Sequence, residues 1–277
     1  MTSFKSRQVD GRRRGGTSIT RNWILCGAFA ALLAICPFAR AFATTDAGAN
    51  TVSTAGNSAP FRAGETLTYR VEWSAFSNAA TVVLSVPEQR NLYGWATWHF
   101  RAAIHTIGSV RSIFQIDDQF DSYSDRSTFE SRQFEEHLSE LGRQKEDVMH
   151  FTATGEDAKG PGPMVVVLPG TRDPLAMLYD LRTVAWDHTP EFRAPVYDGK
   201  SMYEMRATRE DANEPVAVAA GQFSTSRISI QLFQYEREVD NLHFEVWLAN
   251  DAAKTPVLMR ADLPFGNIRV ELVSATN

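Results

Sequence analysis

The sequence predicts a mainly β fold, a large curved antiparallel sheet or open barrel wrapped around one central α-helix at about residues 173–184. Three observations carry that expectation. Apolar and polar residues alternate with a period of two along most of the chain, as in strands that cover one face. The alternating runs are joined by short turns, which favours antiparallel neighbours in sequence order. A single segment has helical periodicity and a good cap, and a lone apolar helix must be buried against a sheet.

Residues 1–43 read as a secretory signal. Arg12, Arg13, Arg14 and Arg21 precede the uncharged apolar stretch Trp23 to Phe38, and Ala41-Phe42-Ala43 is a small-x-small cleavage motif. The expectation is a periplasmic or secreted protein cleaved after Ala43. The apolar run of 16 residues is short for a membrane span of about 20, so no transmembrane span is expected after cleavage. Cys26 and Cys36 both lie in the signal, which removes disulfides and thiol catalysis from the mature chain. Ile35 before Cys36 and Pro37 after it argue against lipid attachment there.

The full chain carries a formal charge of −5, but the signal holds 7 of its 28 Lys and Arg and only 1 of its 33 Asp and Glu, leaving −11 on the mature protein. Such a surface repels phosphate backbones, so no nucleic-acid partner is expected. Residues 44–59 are small and polar and read as a disordered linker. Residues 60–277 then form a single β-rich domain, with no second linker at which to split.

Within that domain, Leu67, Tyr69, Val71 and Trp73 alternate with Thr66, Thr68, Arg70 and Glu72 to give the first strand. After a turn through Ser77-Asn78, Ala80 to Val86 completes a hairpin. Tyr93 to Ile107 forms a long aromatic strand, with Trp98, Phe100, Ala102 and Ile104 on one face and Trp95, His99 and Arg101 on the other. Val110 to Asp121, Thr128 to Leu138 and Lys145 to Ala153 continue the pattern. Gly155 to Pro163 reads as an exposed loop, and Met164 to Leu168 as a short apolar strand. Beyond the helix come Phe192 to Tyr197 and Met202 to Thr208, joined by the tight-turn pair Asp198-Gly199. Val216 to Val218, Phe223 to Phe233, Leu242 to Leu248, Val257 to Leu263 and Ile268 to Val273 close the chain. The total is about eleven to thirteen strands, enough for a twisted sheet to curl or close.

The helix is justified residue by residue. Asp173 is an N-cap whose carboxylate can accept from the free N–H groups of the first turn. Pro174 follows at the first helical position, where its fixed φ helps and its missing N–H costs nothing. Leu175, Met177, Leu178, Leu181 and Val184 fill a broad apolar arc into which Arg182 intrudes.

Four stretches resemble an exported bacterial family, the domain of unknown function 3108. They are Pro60 to Tyr69, the helix pattern Asp173 to Arg182, Ala220-Gly221-Gln222-Phe223, and Trp247 to Asp251 followed by Pro256-Val257. The resemblance implies a fold and an envelope location. This chain has Ala176 and Ala249 where the family usually has serine, so no hydroxyl chemistry is expected at either place. More loosely, Trp247, Pro256-Val257 and Gly266 resemble the curved-sheet carriers that ferry lipoproteins or lipids across the periplasm. That likeness implies a space for acyl chains between sheet and helix.

Two readings of function follow. In the first, the domain carries an apolar or amphipathic ligand such as a lipid, with Leu175, Leu178, Tyr179 and Arg182 facing it from the helix and Trp247 from the sheet. In the second, it is a structural or interaction module that docks an envelope protein partner. Arg182 separates them. An unpaired guanidinium in an apolar site costs several kcal/mol, so it greets a ligand head group or pairs with a sheet carboxylate such as Glu65 or Glu72. An enzyme is least supported, because no nucleophile elbow, paired carboxylates or phosphate loop emerges, and no cofactor is expected. No metal site is expected either. Asp117, Asp121 and Asp125 lie about 13 Å apart along a strand, so with Asp118 they read as a solvated edge. The histidines at 99, 105, 137, 150, 188 and 243 lack close spacing.

Overall fold

The computed structural model describes residues 59–154, 163–264 and 266–276. The expected signal, the expected linker up to residue 58 and residues 155–162 of the expected loop lie outside the described residues. Strand alternation produces one sheet of fourteen strands. They are β1 (Thr66–Trp73), β2 (Phe76–Leu92), β3 (Trp95–Thr106), β4 (Asp117–Asp125), β5 (Ser131–Glu140), β6 (Arg143–Thr152) and β7 (Met164–Val166). Then come β8 (Glu191–Tyr197), β9 (Met202–Val218), β10 (Gly221–Gln234), β11 (Arg237–Glu238), β12 (His243–Ala249), β13 (Pro256–Leu263) and β14 (Gly266–Thr276).

The first and last strands pair antiparallel at the middle of the sheet. From this seam one meander runs outward from β1 to β7, and the other from β14 back to β8, with β11 attached to β10. Neighbouring strands are antiparallel except β6 and β7. The sheet remains open in its hydrogen bonding, yet its two ends meet. Thr171 accepts from the backbone N–H of Ser131 at the start of β5, and Arg172 bridges to Val196 on β8. Phe151 of β6 also packs edge-on against Tyr197 of β8 at 5.6 Å. The wall therefore curls round on itself.

Two local expectations are corrected. Residues Gly108–Ile113 form a short helix, α1, rather than the start of a strand. Val110 is its one buried residue, so the segment lacks the alternating covered face that would hold it as a strand. Val216 to Val218 is no separate strand but the end of the 17-residue β9. The outer part of the β9–β10 hairpin, beyond register shifts near Thr225 and Arg227, leaves the plane of the sheet. Ala220 at its tip donates to Leu272 of β14, a strand that is not its sheet neighbour.

The second helix, α2 (Pro174–Leu181), forms where its cap and period place it. Asp173 accepts from the N–H groups of Leu175 and Ala176 at 2.9 Å each. Its other oxygen accepts from Ser122 on β4 and Ser131 on β5. The cap thus fixes the helix start to two strands at once. Leu175, Met177, Tyr179 and Leu181 are buried in one large cluster with residues from both meanders. Phe100 stacks on Tyr179 at 4.0 Å, and Phe61 meets Trp98, Phe100 and Tyr179 edge-on. Each fully buried aliphatic side chain contributes about 1.5–3 kcal/mol, so the helix is a principal part of the core.

Candidate functional site

The far end of α2 holds the expected charge. Arg182 follows the last helical turn and is 1% exposed, as is Glu65 just before β1. The guanidinium makes a two-pronged contact, Nη1 to Oε1 at 2.6 Å and Nη2 to Oε2 at 2.9 Å, and Nη2 also donates to the Ala253 carbonyl at 2.9 Å. Its central carbon Cζ lies 5.0 Å from the Phe61 ring centroid and 5.3 Å from that of Tyr179. Burial alone would lower the pKa of Arg182, but the hydrogen bonds and charge of Glu65 raise it above its ordinary value. Burial likewise pushes the Tyr179 phenol up, against the pull of Arg182. The Tyr179 hydroxyl and Arg182 Nε are buried without a hydrogen-bond partner among the described residues.

The five expected contact residues do not converge on one space. Leu175, Tyr179 and Arg182 come together in the interior, where Leu175 is packed without exposure. Leu178 is half-buried at the margin of the same cluster. Trp247 is buried elsewhere. Its strand neighbours Val246 and Leu248 enter the main core, so alternation sends Trp247 through the opposite face. There it joins a second cluster with Val216, Ala249, Val257 and Leu258, beneath the folded-over hairpin. Arg260 lies over its ring at 4.9 Å. A surface cleft of about 440 Å³ is lined by Glu238, Asp240, Leu242, His243 and Asp262 among others, and by none of the five.

The acidic run is also corrected. β4 is an internal strand between β3 and β5, so its carboxylates are not a solvated edge. Asp121 is 1% exposed and accepts from His99 Nε2 (2.5 Å), Arg101 Nε (2.7 Å) and Gln119 Nε2 (2.6 Å). Burial works to raise its pKa, but these partners leave it lowered. Asp118 points the other way, accepts from the Ser139 N–H, and is pushed by burial, with help from Glu140, to about 7. Spacing along one strand could not reveal this. Apart from Gln119 on β4 itself, the partners come from β3 and β5, and only the cross-strand register brings them together.

Fold and site together define a barrel-like β protein with a helix locked inside its sheet. Among the described residues no helix is long and apolar enough to cross a membrane. The family model described as "Protein of unknown function (DUF3108)" matches residues 68–273, and the chain belongs to that family. No curated protein matches the sequence. Among solved structures, the chain is similar to a β-barrel-like protein of domain of unknown function DUF1849 from Brucella abortus. The identity is 13% and the TM-score 0.50, covering 77% of this chain and 97% of that one. It is also similar to a protein with a YmcC-like fold from Bacteroides fragilis, at 11% identity and TM-score 0.36, covering 79% and 98%.

Proposed function

We propose that this is an exported cell-envelope protein whose domain works through its surfaces, as a structural or interaction module, and not as a carrier with cargo in its interior. The observation that carries the reading is the buried pair of Arg182 and Glu65. A head-group site needs a cation free to meet an anion, whereas this guanidinium already has a carboxylate on both prongs. Leu175 and Tyr179, the other residues suited to an acyl chain, are spent on Phe61 and Phe100 and on the core around them. Export rests on the arginine-led signal and the motif ending at Ala43.

The surface most suited to contact is the β7 end of the sheet. Met164, Val166 and Leu168 are exposed there and alternate along one face. The opposite end, at β8, carries the charged pair Glu191 and Arg193 together with Pro195, features that discourage strand addition. Native mass spectrometry of protein taken from its own envelope tests the proposal. A mass equal to the polypeptide supports a surface-acting module. A retained lipid mass, lost on substituting Leu175 or Arg182, supports the carrier instead.

A further inference from the structure

The outer face of β4 and β5 holds a second cluster that the interior does not use. Phe120 and Phe134 point into the core, so Asp121 and Glu135 point outward, and the register sets them directly opposite one another. His137 lies two residues further along the same face of β5. Ligand atoms of Asp121, Glu135 and His137 all fall within 4.8 Å of one another. His137 Nε2 is already 3.2 Å from Glu135 Oε2, and donor atoms around a tetrahedral zinc ion are about 3.3 Å apart.

A separate observation concerns Gln133, which precedes Glu135 by two on that face. It is 6% exposed, and its Nε2 donates to Glu135. Its Oε1 is buried with no hydrogen-bond partner among the described residues, although such an oxygen normally finds one. We propose that Asp121, Glu135 and His137 bind a divalent cation of the zinc class, with the Gln133 carbonyl oxygen as a fourth protein donor. Two carboxylates, an imidazole and an amide oxygen make a mixed nitrogen and oxygen set suited to that class. His99 and Gln119 hold the Asp121 carboxylate in orientation. His137, with 36% of its side chain exposed, leaves an approach from water.

Arg101 is an opposing charge, bonded to Asp121 but with its side chain 39% exposed. It can turn into solvent when a cation arrives, so it competes for the site. Isothermal titration of Zn²⁺ into untagged, chelator-treated protein is the test, with melting in EDTA as the check on folding. One zinc per chain is expected, with binding weakened about tenfold or more in His137→Gln and Glu135→Gln. Arg101→Gln is expected to bind several-fold more tightly. If Glu135→Gln does not fold, the half-exposed His137 variant decides. Absence of binding at millimolar zinc, undiminished binding by His137→Gln, or no gain in Arg101→Gln would each overturn the site.

Discussion

Removing one member of the Arg182–Glu65 pair tests whether that charge belongs to the architecture. In Glu65→Gln the guanidinium stays 1% exposed, keeps the Ala253 carbonyl, and loses the carboxylate that satisfied two of its N–H groups. Breaking a buried pair from one side costs about 3–5 kcal/mol, because a buried charge is left uncompensated. For a domain of this size each kcal/mol lowers the melting point by about 2–4 °C, so the loss is roughly 6–20 °C. Replacing both residues by apolar ones of similar volume, as in Glu65→Leu with Arg182→Met, removes the charge problem. That variant should fall within about 1–2 kcal/mol of the parent or exceed it. Urea denaturation of the parent, Glu65→Leu, Arg182→Met and their double variant gives the coupling energy directly. If Glu65→Gln costs less than about 1 kcal/mol, as an exposed pair would, or if the double variant loses the sum of the singles, the reasoning fails.

Two other perturbations follow from the same core. Asp173→Ala leaves the Ser122 and Ser131 hydroxyls and the Leu175 and Ala176 N–H groups without their acceptor; adding the lost cap to unmet buried donors gives a cost of about 3 kcal/mol or more by urea denaturation. Asp118→Asn is expected to change the pH dependence. With its native pKa raised to about 7, the folded state binds more protons than the unfolded one between about pH 4 and 7, so stability falls as pH rises through that window. The amide still accepts from Ser139 but cannot ionise. The variant should match the parent near pH 4 and exceed it by about 1–2 kcal/mol at pH 8, after allowing for screening by water; equal profiles would contradict the burial of that carboxylate.

Much of this architecture was legible in the sequence because its causes are local. Alternation at Leu67 to Trp73 and at Trp98 to Ile104 declares which face is covered, and Asp173-Pro174 declares where the helix starts. The intrusion of Arg182 into an apolar arc announced a charge in need of an anionic partner, either a ligand head group or a carboxylate, and Glu65 was among the carboxylates named. What stayed hidden depends on which strands are neighbours. Trp247 sits beside Val246 and Leu248 in a strongly apolar strand, and nothing local says that a bent hairpin carrying Val216 would cover its other face. The Asp121, Glu135 and His137 cluster is likewise invisible along either strand, since it exists only in the β4–β5 register. The short helix at Gly108–Ile113 has no cap side chain, so its sequence carried no start signal.

The central claim is that α2 is a fixed part of the core and does not lift to admit a guest. Amide hydrogen exchange under native conditions tests it most directly, since buried core amides open only with global unfolding while lids open at far lower free energy. The Met177 to Leu181 amides should exchange as slowly as those of β1 and β14 at the seam, with the same dependence on urea. Exchange of the helix at a small fraction of the global unfolding free energy, while the seam stays protected, would contradict the account.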